Sequence, residues 1–122
     1  MFHNLTEYQK GWVVGIIEGE GCFTFKDKAR RKPVVSLKMA CQDVVTYFAS
    51  ITVPNKLQEF TDKRNTKWAK MYCWEVVGKK ALQLMADVYP HMGKRRQARI
   101  QEIFLEYQGK VGIDYSHLKH ME

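Results

Sequence analysis

The stretch GWVVGIIEGEGCFTF (Gly11–Phe25) decides how the chain folds. An apolar helical run leads straight into two glutamates interleaved with glycines, and then into residues of β type. Upstream, Thr6 is followed three residues later by Gln9, a capping-box pattern that starts a helix. Trp12, Val13, Ile16 and Ile17 continue it, and Gly19 and Gly21 end it. Gly15 and Gly19 lie four apart and share one helix face. Each costs about 1 kcal/mol relative to Ala inside a helix. Close approach of a second helix would offset that cost.

The rest of the chain alternates strand and helix signals. CFTFKD reads as a strand, ARRKP as a basic turn, and VVSLKMACQ as a second strand. The second strand alternates Val35, Leu37, Met39 and Cys41 with Ser36, Lys38, Ala40 and Gln42. DVVTYFASI predicts a short helix capped by Asp43 and closed by Pro54 and Asn55. KLQEFTD and WAKMYCWEVV predict a second hairpin around the turn KRNTK. GKKALQLMADVY predicts a third helix ended by Pro90, and GKRRQARIQEIFLEYQG a fourth. KVGIDYSHLKHME reads as a short docked helix or a frayed tail.

The order α-β-β-α-β-β-α-α predicts one α+β domain over residues 1–122, with a tail loosely ordered from about 109. Helices cover one face of a twisted antiparallel sheet. The other face carries Thr24, Lys26, Ser36, Lys38, Lys56, Gln58 and Lys70 by strand parity. A ribbon of this kind can enter a DNA major groove.

Composition narrows the partners. Lys and Arg number 20 against 13 Asp and Glu, a net charge of +7. An anionic partner is favoured, nucleic acid before a membrane surface. No apolar run reaches membrane-spanning length, and MFHNLTEYQK is too polar for a signal peptide. Cys22, Cys41 and Cys73 form no CxxC pair, which argues against zinc and against a disulfide framework. They read as reduced core or near-core residues of an intracellular protein. His3, His91, His117 and His120 lack metal-site spacing. Trp68 and Trp74 read as strand packing residues rather than base-stacking platforms.

Val13 to Gly21, VVGIIEGEG, resembles the LAGLIDADG motif of homing endonucleases, with Glu18 and Glu20 in the places of its two acids. The later YPHMGKRRQARI is similar to the family's basic segment after the third helix. The resemblance implies a site-specific endonuclease that hydrolyses phosphodiester bonds in double-stranded DNA. A single motif copy implies a homodimer on a long, near-palindromic site, meeting through Val14, Gly15, Glu18 and Gly19. Mg²⁺ is the implied cofactor, with Mn²⁺ or Ca²⁺ substituting for binding. Glu20 takes the place of the metal ligand, with Gly19 beside it. Two such helix ends at the dimer axis bring carboxylates together, which divalent cations favour.

Gln42 matches a polar residue that positions water, or is simply a polar helix-start residue. Lys94 matches a basic residue near the scissile phosphate; Arg95 or Arg96 could hold that role, or the cluster could bind backbone without catalysis. Lys28, Arg30 and Arg31 at the hairpin tip are expected to contact phosphates, and Tyr72 and Arg95 to contact DNA. Glu at both acid places departs from the family's commonest letters and lengthens each arm by one methylene. The resemblance equally admits a non-catalytic nucleic-acid binder of the same fold, either an RNA maturase, whose partner is intron RNA, or a DNA-binding regulator.

Overall fold

The computed structural model describes residues 2–61 and 70–111, with side chains through Tyr107. The first helix, α1 (Glu7–Glu20), opens on a reciprocal capping box: the Gln9 amide donates to the Thr6 hydroxyl at 3.1 Å and the Thr6 amide donates to the Gln9 side chain at 3.0 Å. Its end is set by Gly21, whose N–H donates to the Ile17 carbonyl. A Cβ at Gly21 would lie 2.7 Å from that oxygen, so only glycine fits there. The chain passes directly into strand β1 (Gly21–Lys26), which pairs antiparallel with β2 (Lys32–Met39).

Asp27 builds the turn between them. Its carbonyl accepts from the Arg31 amide at 2.6 Å and its carboxylate accepts from the Ala29 amide at 3.1 Å. Asp27 and Arg31 both adopt left-handed backbone, at φ 67° and 47°. Helix α2 (Gln42–Ile51), strands β3 (Gln58–Thr61) and β4 (Lys70–Val77), helix α3 (Lys79–Val88), a 3₁₀ turn (Tyr89–His91) and helix α4 (Lys94–Val111) follow. This is the expected α+β order. The strands lie in the order β1-β2-β4-β3, all antiparallel, so β2 and β4 are central.

The core lies between one sheet face and the helices. Phe23, Val35, Leu37, Trp74 and Val76 pack with Val13, Ile17, Val45, Phe48, Met85, Ile100 and Ile103. Trp74 is fully buried, stacks edge-on with Phe48 at 4.9 Å, and donates its indole N–H to the Val53 carbonyl at 2.7 Å. The indole polar group is therefore satisfied where water cannot reach it.

Several side-chain expectations are corrected by register. Directly paired residues share a sheet face, and Tyr72 pairs with Met39 as Trp74 pairs with Leu37. Lys70 and Tyr72 therefore belong to the helix-covered face, not the open one. Tyr72 packs against the core, and Lys70 pairs with Glu59 at 3.6 Å at the strand's end. The open face of β4 instead carries Met71, Cys73, Glu75 and Val77. Ser36 has open-face parity but is buried, because β2 is central and Cys22 and Glu75 flank it.

Cys22 and Cys41 are exposed; only Cys73 is buried. β2 stops at Met39, so strand parity does not extend to Gln42, which is the first residue of α2. That helix is capped at Cys41 without a side-chain bond, and Asp43 lies in its first turn. The expected KRNTK turn, Trp68 and the C-terminal tail from residue 112 lie outside the described residues.

Trp74→Ala should destabilise the fold by about 3–5 kcal/mol through cavity formation; urea unfolding would measure it, and a loss under about 1 kcal/mol would contradict the packing. A thiol reagent should modify Cys22 and Cys41 in the native protein and Cys73 only on unfolding. Burial also pushes the Cys73 thiol pKa up, which lowers its thiolate fraction.

Candidate nucleic-acid and metal-binding corner

Helix α1 ends with Glu18 and Glu20 and has no basic residue in its last turn. The C-terminal pole of a helix favours cations. Its last carbonyls also lack intrahelical partners. The Gly21 N–H takes the carbonyl of Ile17, and Arg96 Nε donates to that of Glu18 at 3.1 Å. The carbonyls of Gly19 and Glu20 receive no such turn or side-chain bond among the described residues.

Helix α4 begins the opposite way, with Lys94, Arg95 and Arg96 at its positive pole. The Glu18 carboxylate offsets this clash. It accepts from the Gly93 amide at 3.2 Å and lies 3.7 Å from Arg96 Nε. A Cβ at Gly93 would come within 3.0 Å of the same carboxylate. The Arg96 guanidinium lies 5.7 Å from the Phe23 ring centroid, and its side chain is only 16% exposed. The end of α1, the start of α4 and the start of β1 are thus tied together.

This joint sorts the basic cluster. Arg96 is committed within the chain, whereas Lys94 and Arg95 are exposed. Glu18 is likewise committed, whereas Glu20 is exposed and makes no ion pair among the described residues. Glu20 follows Glu18 by two residues and Lys94 follows Gly93 by one, so the joint brings their segments together. Gln42 is exposed in the first turn of α2 and takes no part in the joint's hydrogen bonds.

On the outer side of α1, Gly11, Gly15 and Gly19 follow at intervals of four, all exposed. A Cβ at any of them would meet nothing within 4 Å. Gly11 extends the Gly15–Gly19 face by the same spacing of four. Tyr8, 82% exposed, extends it by one turn. Val14 at its edge is half-buried.

The open sheet face carries Thr24, Lys26, Lys38 and Gln58. Lys26 Nζ lies 2.6 Å from Glu75 Oε1, and that hydrogen bond and charge raise the Lys26 pKa. Lys38 Nζ lies 5.8 Å from the centroid of the Phe60 ring. Lys56 is exposed in the segment before β3. At the hairpin tip, Lys28 and Arg30 are exposed. Arg31 is not the free phosphate contact the sequence suggests. It forms a two-pronged pair with Glu106 of α4, at 2.7 and 3.2 Å, and covers the Phe25 ring at 4.3 Å. Its partner lies 75 residues away, beyond any local sequence signal.

No group of three or more His, Cys, Asp or Glu gathers among the described residues. One chain offers the Glu20 carboxylate and neighbouring helix-end carbonyls. These are hard oxygen donors of the type Mg²⁺ and Ca²⁺ take, but an incomplete shell without a second chain or water.

No described helix is long and apolar enough to cross a membrane. No protein-family model and no curated protein matches the sequence. Among solved structures, the chain is similar to an archaeal intron-encoded homing endonuclease complexed with DNA. The identity is 16%, the alignment covers 94% of this chain and 92% of that one, and the TM-score is 0.44.

Glu18→Ala should lower stability by about 1 kcal/mol, the typical value of a lost helix-end cap. Glu20→Ala should change it by less than about 0.5 kcal/mol. Equal losses in denaturant unfolding would contradict the division of roles between the two acids.

Proposed function

We propose that this protein is a homodimeric, divalent-metal-dependent endonuclease that cuts both strands of a long, near-palindromic DNA site. The observation that carries the reading is the joint of α1 and α4. It brings a helix end that attracts cations next to a helix start that attracts anions, and leaves Glu20 and Lys94 uncommitted. Metal-assisted phosphodiester hydrolysis draws on both, a held cation to activate water and positive charge to offset the charge developing on the phosphate.

In this reading, two copies pack α1 against α1 through Gly11, Gly15 and Gly19. Glu20 of each chain then approaches its mate. Two carboxylates so close disfavour a shared negative charge unless a cation lies between them. Glu20 and the Gly19 carbonyl would hold Mg²⁺, with Mn²⁺ or Ca²⁺ substituting for binding. When bound, such an ion acidifies water and neutralises charge developing on the phosphate. Lys94 offsets charge on the scissile phosphate, Arg95 holds the adjoining backbone, and Gln42 hydrogen-bonds the attacking water. Lys28, Arg30 and Lys56 contact phosphates along the groove, while Lys26, Lys38, Thr24 and Gln58 face the bases.

Glu20→Gln should abolish cleavage of a plasmid carrying the joined sequences that flank the gene, and keep duplex affinity within about threefold. A variant that cuts at the wild-type rate would remove Glu20 from the site. A wild-type protein that binds duplex or intron RNA but never nicks it with Mg²⁺ would leave the non-catalytic binder in its place.

A further inference from the structure

Glu75 is an acid on the sheet face that the proposed function turns toward DNA. It lies on central strand β4, on the rung Cys22–Ser36–Glu75. Such a carboxylate repels phosphates, so its position there calls for a specific donor. Lys26 Nζ at 2.6 Å offsets the charge within the chain. The Asn55 side chain donates to the Glu75 carbonyl at 2.8 Å and steadies the strand. Cys22 and Ser36, the neighbours of Glu75 on its rung, are small, and Lys26 reaches Glu75 from its own rung with Lys32. Glu75 is 28% exposed and Lys26 58%.

We infer that Lys26 and Glu75 act as one unit that reads a C·G base pair in the major groove. Glu75 accepts from the cytosine amino group, and Lys26 donates to the paired guanine. The inference rests on the proposed duplex-DNA reading. An ionised carboxylate only accepts hydrogen bonds, and an ammonium only donates them. In the major groove cytosine presents the N4 donor, and guanine presents the O6 and N7 acceptors. Cytosine N4 and guanine O6 are hydrogen-bonded to each other, about 2.9 Å apart. The spacing of the ion pair, 2.6 Å, is close to that of its target. An A·T pair also offers a donor beside an acceptor. There the thymine methyl crowds the ammonium, and only guanine gives it two neighbouring acceptors.

Selection from a randomised duplex library tests this, using the wild type, Glu75→Gln and Lys26→Met, each checked for native circular dichroism. The wild type should fix C·G at one position in each half-site. Glu75→Gln should move that position toward A·T, because glutamine bonds adenine N6 and N7, and should weaken binding of the C·G site roughly tenfold. Lys26→Met should relax the same position and leave the others unchanged. Unchanged preferences in both variants, or changes at two different positions, would overturn the inference while leaving duplex binding intact. A wild type that fixes A·T at the position the variants alter would overturn it too. A wild type that enriches no duplex at all would overturn the proposed function as well.

Discussion

The bond between the Glu18 carboxylate and the Gly93 amide holds the candidate site together. On its own, the end of α1 gathers two acids at a pole that is already negative. On its own, the start of α4 gathers three cations at a pole that is already positive. Each arrangement is unfavourable in isolation. Joined through Glu18 and Arg96, they offset one another. Arg96 also lies against Phe23, so the joint fixes the first strand as well as both helices. Segments distant in sequence are thereby set in a definite relation before any ligand arrives. That is the preorganisation an electrostatic site needs.

The same logic divides the chain's charge. Its excess of seven positive charges is not evenly available. Arg31, Arg96 and Lys70 are engaged by Glu106, Glu18 and Glu59. Of these, Arg31–Glu106 and Lys70–Glu59 are exposed pairs, and exposed ion pairs in general contribute at most about 1 kcal/mol each. Their effect is chiefly to place elements, while the Trp74-centred core supplies stability. Arg31 holds the hairpin tip to α4, and Arg96 holds α4 to α1. Lys28, Lys38, Lys56, Lys94 and Arg95 remain exposed for an anionic partner.

Much of this was legible in the sequence. The Thr6–Gln9 box, the Gly21 exit and the two hairpins are local features, and their chemistry is written in adjacent residues. What was not legible depends on register and distant partners. Both parities of β4 carry large side chains, so the sequence alone does not place Lys70 and Tyr72; the pairing of Trp74 with Leu37 and of Tyr72 with Met39 decides the facing. The burial of Ser36 is hidden from the sequence because parity does not tell a central strand from an edge. Strand parity does not apply to Gln42, because β2 ends at Met39 and α2 begins at Gln42. The partners of Arg31 and Arg96 lie 75 and 78 residues away. The motif resemblance implies a dimer contact for Glu18, whereas its place as the anion at the start of α4 depends on the fold.

In the proposed dimer the glycine stripe of α1 is the meeting surface, since one chain supplies only part of a metal shell. Sedimentation equilibrium of the wild type and of Gly15→Leu tests this most directly. The wild type should sediment at twice the 14.3 kDa chain mass and the variant at the chain mass itself. A wild-type monomer that still makes double-strand breaks, or a Gly15→Leu dimer as tight as the wild type, would contradict it.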